Sequence, residues 1–131
     1  MKNILLVILF FSVLVLTACG GGAAPAAVDT IPPEFAGKTN PLGADAAEAG
    51  AVIFKNNCAA CHGEQGHGDG PAGLALDPKP KDLPSLAATV GEDYLFWRVS
   101  VGKLGTSMVG WKGILTDDQI WQVVTFIGRL K

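Results

Sequence analysis

What this 131-residue chain lacks narrows its functions before any motif is read. It has no cluster of Lys and Arg of the kind that neutralises phosphates, and its formal net charge is −2, which argues against a nucleic-acid or other polyanionic partner. No alternating strand pattern and no internal repeat runs through it. The longest apolar run, Ile4 to Leu16, falls short of the roughly 20 residues that cross a bilayer core. Cysteine and histidine are scarce at three and two residues. A structural zinc site needs a second Cys/His pair downstream of the first, and none is there. A thioredoxin-like dithiol needs a βαβ setting, which is missing as well.

What is present begins with an export signal. Met1-Lys2-Asn3 is a short positive start and the apolar run behind it has the build of a secretory leader over residues 1–18. Leu16-Thr17-Ala18-Cys19 resembles the bacterial lipobox, which implies that Cys19 becomes the lipid-bearing first residue of the mature chain. Two or three acyl chains anchor stably where one binds marginally, so the protein is expected in the bacterial cell envelope, exported and lipid-anchored on the periplasmic or outer side. Loss of the leader removes Lys2 and leaves nine Lys and Arg against twelve Asp and Glu.

Residues 19–42 read as a lipidated tether. Gly20 to Ala27 are low-complexity and flexible, whereas Val28 to Leu42 carry Ile31, Phe35 and three prolines in a defined order. That arm either packs on its own domain, docks on another subunit, or is an ordinary linker. Residues 43–131 form the folding unit. A globule of under about 90 residues rarely stabilises itself by apolar burial alone, and a cofactor is therefore expected.

Three helices are legible in that unit, which predicts an all-α fold. Ala44 to Asn57 are helix formers with Ala46, Ala49, Ile53 and Phe54 on or near one face. A second helix spans Glu92 to Val101, carrying Tyr94, Leu95, Trp97 and Val101, and stops at Gly102. The last opens on a Thr116-Asp117-Asp118-Gln119 capping box and shows Ile120, Val123, Val124, Ile127 and Leu130 at helical spacing. Between the first two, a Gly-rich stretch and Pro78, Pro80 and Pro84 predict an extended loop.

Chemistry concentrates where the first helix ends. Cys58-Ala59-Ala60-Cys61-His62 is the C-x-x-C-H pattern of covalent haem attachment, in which two cysteines reach one porphyrin edge and the next histidine swings beneath the iron. Met108, the one methionine besides Met1, lies 46 residues beyond His62 and is the candidate sixth ligand. His67 is the rival for that position, but five residues after His62 it is expected to stay on the same side as a solvated loop residue. The carbonyl of Pro71 is the candidate acceptor for the second ring nitrogen of His62.

These residues resemble the small bacterial class I cytochromes c over 44–131. The resemblance rests on Cys58 to Gly63, on Gly66 to Gly73, on Pro78 to Leu83 and on the Gly105-Thr106-Ser107-Met108 loop, where Val109 replaces the family's usual proline. It implies one covalent haem c, a crossing of first and last helices with Gly50 and Phe54 meeting Trp121 or Phe126, and electron transfer without bond-making catalysis. A peroxidase-like or gas-binding haem is the enzyme alternative. The lipobox, tether, the run Pro33 to Pro41 and single haem domain further resemble the monohaem lipoprotein subunit of alternative complex III, a quinol-oxidising membrane assembly. That implies redox protein partners within a multisubunit membrane complex; a free tethered shuttle is the alternative.

Overall fold

The computed structural model describes residues 28–131. The leader expected over 1–18, Cys19 and the tether expected as far as Ala27 lie outside the described residues.

Two long helices set the frame. α1 (Ala46–Asn57) buries Ala47, Gly50 and Phe54, one residue out of step with the face expected from Ala46 and Ala49, and Ala49 is exposed. The reason lies in the partner helix α5 (Asp117–Ile127), against which α1 makes its main contact. A Cβ on Gly50 would stand 1.9 Å from the Gln122 carbonyl oxygen, so the two backbones meet at a point where no side chain fits. Phe54 then lies beside Phe126 with ring centroids 5.2 Å apart. The helix crossing implied by the family resemblance is present; Trp121 stacks on Phe96 instead, at 4.2 Å.

Local chemistry explains the ends of α5. The Thr116 hydroxyl accepts from the Gln119 amide and the Gln119 side chain accepts from the Thr116 amide, satisfying donors that a helix start leaves free. Its apolar stripe is the strongest among the described long helices, and Ile120, Val123 and Val124 are essentially inaccessible.

Three short elements join the frame. α2 (Ala59–His62) is one turn following directly on α1, and a 3-10 turn follows at Gly73–Ala75. α3 (Leu83–Ala87) occupies part of the segment expected to be extended. Its signal was readable: Asp82 caps it by accepting from the Ser85 amide, and Pro84 sits in the first turn, where proline loses no hydrogen bond. α4 (Glu92–Val101) has the expected bounds and ends at Gly102 with φ +74°. Val101 is 48% exposed, against expectation, while Phe96 and Val99 are buried. Among the described residues there is no strand, apart from two isolated bridges.

The arm lies on its own domain. Phe35 is 8% exposed and faces Phe96, with Ile31 and Leu42 packed beside the core. Polar contacts hold the same stretch, since Asp93 accepts from the Gly37 amide at 2.9 Å and Asn40 donates to Thr125 at 2.8 Å. Phe35 thus packs on its own core, the first of the three roles open to the arm, while Val28 is 49% exposed.

Candidate functional site

α1 delivers Cys58 to the mouth of a cavity of about 530 Å³, a size within the ~300–1,000 Å³ of ligand sites. One turn of α2 then places the rest of the motif. The Cys58 carbonyl accepts from the amides of Cys61 at 3.1 Å and His62 at 2.9 Å, which brings both cysteines and His62 to the same wall. The chain turns away at Gly63, whose φ of +80° is a glycine conformation.

The opposite wall is made by the stretch after α4. Lys103 donates its amide to the Met108 carbonyl at 3.0 Å, and Trp111 donates to the Val99 carbonyl at 2.9 Å, folding 102–111 back on the helix end. Gly102 is required there, because a Cβ would stand 2.4 Å from the Met108 carbonyl oxygen. The Thr106 hydroxyl accepts from the Met108 amide at 3.2 Å and donates to the Lys103 carbonyl at 2.8 Å. These bonds brace the loop where Val109 stands in place of the family's usual proline. Met108 is half-buried and lines the cavity, as do Cys58, Cys61 and His62. Residues 46 positions apart in sequence thus face a common space.

The remaining walls are mainly apolar, including Leu83, Leu95, Val99, Val123 and Ile127. Burial pushes the His62 pKa below its ordinary value, opposed in part by the backbone of Lys81. The ring is thus neutral at pH 7, the form that ligates metals. Its Nδ1 is buried without a hydrogen-bond partner among the described residues. Such an orphaned polar atom on an apolar cavity wall fits a histidine built for a metal-centred group.

Burial, and then the neighbouring Cys61, push the Cys58 thiol up to about 11. Dithiol oxidoreductases need the opposite shift, a lowered pKa that gives thiolate near neutrality. The C-x-x-C here is therefore unsuited to thiol exchange, and the cavity beside it suits haem attachment.

Pro71 and His67 lie off the cavity, His67 as expected of a solvated loop residue. Pro71 is exposed and does not line the cavity; its segment packs on the backbone of α2, with the Ala72 amide donating to the Ala60 carbonyl at 2.9 Å. The segment that lines the cavity together with His62 is 78–83, whose prolines marked its extended course. His67 is off the cavity too, with Nδ1 2.7 Å from Asp82 Oδ2 at an exposed pair. Arg98 was missed entirely. Its guanidinium lies 3.7 Å from the Trp97 ring centroid and lines the cavity, yet a helical Arg carries no distinctive sequence signal.

Comparison with known proteins agrees with this geometry. The family profile described as cytochrome c oxidase, cbb3-type, subunit III matches residues 45–127. The chain belongs to this family of cytochrome c domains. Covalent haem c is accordingly its cofactor, attached through a C-x-x-C-H motif. Among relatives, the cbb3-type cytochrome c oxidase subunit FixPc of Rhizobium leguminosarum bv. viciae is 37% identical over 84 residues, 64% of this chain and 28% of that protein. Cytochrome c6 of Thermosynechococcus vestitus is 35% identical over 86 residues, 66% of this chain and 70% of that protein. This chain thus spans little more than a quarter of the oxidase subunit but most of the small cytochrome. Of solved structures, the reducing HAO-like protein complex of Kuenenia stuttgartiensis matches with TM-score 0.61 and 28% identity, over 69% of this chain and 46% of that one. Cytochrome cL of Methylophaga aminisulfidivorans, at 22% identity and TM-score 0.50 over 63% of this chain and 53% of its own, shares the fold.

Proposed function

We propose that this cytochrome c is a lipid-anchored one-electron carrier in which His62 and Met108 would hold the iron of one haem c. The observation that carries the reading is the convergence of His62, Met108, Cys58 and Cys61 on one mainly apolar cavity. When bound, haem c supplies a reversible Fe(III)/Fe(II) change, with thioether ligation favouring the ferrous state. The chain's own residues do the rest. Cys58 and Cys61 fix the porphyrin edge, neutral His62 offers a lone pair, and the loop from Gly102 to Trp111 presents the Met108 sulfur. Leu83, Leu95, Val123 and Ile127 exclude water. His62 and Met108 together would leave the iron no position open to a substrate, which would separate a carrier from a peroxidase-like or gas-binding protein. The expected result is a low-spin spectrum unchanged by carbon monoxide; a spectrum that shifts on adding the gas overturns the Met108 assignment.

Beyond the domain, export and acylation at Cys19 place the carrier on the periplasmic or outer side of a bacterial membrane. The resemblance of lipobox and tether to an alternative complex III subunit makes a quinol-oxidising complex the proposed donor. Exposed Leu104 and Val109, flanking the Met108 loop, offer an apolar contact for redox partners. A second reading, a tethered shuttle, is favoured by the burial of Phe35, which leaves the arm less to offer a fixed neighbour. Haem-stained native electrophoresis of gently solubilised membranes separates the two. Comigration with multihaem and integral-membrane subunits supports the complex, and a band near the size of the lone chain across mild detergents supports the shuttle.

A further inference from the structure

The cavity wall carries an imbalance of charge. Lys79, Lys81, Arg98 and Lys103 line it, with Asp82 as their single carboxylate among the described lining residues, and Asp82 is already engaged by His67 and Ser85. Arg98 is the most enclosed of the ion-paired groups, its side chain 12% exposed. A guanidinium is almost never buried without a partner. Three contacts fix it within the domain: the ring of Trp97 under its face, the Tyr94 hydroxyl at 3.3 Å from Nε, and the Gly102 carbonyl at 3.3 Å. None of these carries a formal negative charge.

That charge comes from the arm. Asp29 Oδ2 accepts from both Arg98 and Lys103, while its neighbour Val28 lines the cavity itself. The arm's course explains how it arrives there, because Phe35 and Ile31 are seated in and against the core and Gly37 is bonded to Asp93. Arg98 belongs to α4 and Lys103 to the loop that presents Met108, so one carboxylate bridges two elements of the distal wall.

We propose that Asp29 is a positioning residue that sets the haem's reduction potential, holding Arg98 and Lys103 at the cavity wall and cancelling part of their charge. The inference rests on a redox-active haem occupying this cavity. Cations near the iron favour the ferrous state, which carries one positive charge fewer, and a carboxylate beside them offsets that preference. Removing the carboxylate while leaving the cations therefore raises the potential.

The test is an equilibrium spectroelectrochemical titration of purified holoprotein at low ionic strength. Asp29→Asn is expected to raise the Fe(II)/Fe(III) ratio at fixed applied potential about two- to fourfold, the scale of one charge acting across a partly screened distance of order 10 Å. Asp29→Glu is expected to stay near wild type, and Lys103→Gln to shift the ratio the opposite way. In an Arg98→Gln background the Asp29→Asn shift should shrink. Asp45→Asn, at an exposed acid off the cavity, measures the effect of net charge alone. An Asp29→Asn shift no larger than that control overturns the proposal, as does a shift undiminished without Arg98. Should Asp29→Asn fail to accumulate, an unshifted Lys103→Gln overturns it by itself. A wild-type protein that does not titrate reversibly refutes the electron-carrier reading instead, so the two failures are distinguishable.

Discussion

The two walls of the haem cavity are built by opposite strategies. The proximal wall is local: Cys58, Cys61 and His62 lie within five residues, and one helical turn fixed by the Cys58 carbonyl aligns them. The distal wall is assembled from the end of α4, a loop closed by Thr106 and Gly102, and an arm that begins some 80 residues before Met108. Backbone geometry over a single turn secures the first, whereas the second depends on long-range packing. Damage to the proximal wall should therefore abolish the centre, and damage to the distal wall should alter it while the covalent haem persists.

The largest expected effect breaks the proximal side. His62→Ala should remove holoprotein from haem-stained gels, because in a domain this small a bound cofactor contributes much of the stability. Survival of a stained, folded His62→Ala protein would erase the contrast between the walls. Next comes Met108→Ala, which should keep covalent haem, admit carbon monoxide and lower the potential on the order of 0.1 V, a fraction of the ~0.8 V that axial ligands span.

The arm provides a test of intermediate size. Phe35→Ala should cost about 3 kcal/mol, the lower end for a buried aromatic, and appear as a lower denaturation midpoint with the haem spectrum retained. An unchanged midpoint would return the arm to the role of a linker. Gly102→Ala should cost about 1–3 kcal/mol, since the left-handed φ and the nearby Met108 carbonyl both resist a Cβ. Its spectrum should show a weakened sixth ligand, with the proximal attachment untouched.

The smallest effect lies at Asp82, a partly exposed carboxylate at the cavity wall. Hydrogen bonds from Ser85 and then from His67 lower the pKa of Asp82 to about 2. A depressed carboxylate contributes stability above its unfolded pKa of about 3.9, and that contribution is lost as pH falls toward 2. Asp82→Asn should therefore flatten the acid limb of stability against pH between about 4 and 2, leaving the haem spectrum at pH 7 unchanged. A spectral change at pH 7 would mean that the pair reaches the iron.

Much of this was legible in the residues. The C-x-x-C-H motif, the bounds of α4 and the capping box of α5 are short-range features in which neighbours in sequence are neighbours in space. Even Met108 could be named, because so few sulfur ligands remain. Legibility failed where contacts are long-range. The cavity wall beside His62 is supplied by the proline-rich segment 78–83, while the Gly-rich segment that holds Pro71 packs on α2. The buried face of α1 shifted by one residue because Gly50 had to meet the Gln122 carbonyl.

The sequence by itself determined an all-α cytochrome c domain, its attachment site and its candidate axial ligands, since helix periodicity, caps and a five-residue motif are written in local chemistry. The tertiary structure alone decided that the arm belongs to the core, that Thr106 and Gly102 hold the Met108 loop, and that Asp29 meets Arg98 and Lys103. The Asp29 pairings join residues 69 and 74 positions apart. No local propensity specifies them, and the packing of Phe35 against Phe96 helps bring that carboxylate to the cavity's edge.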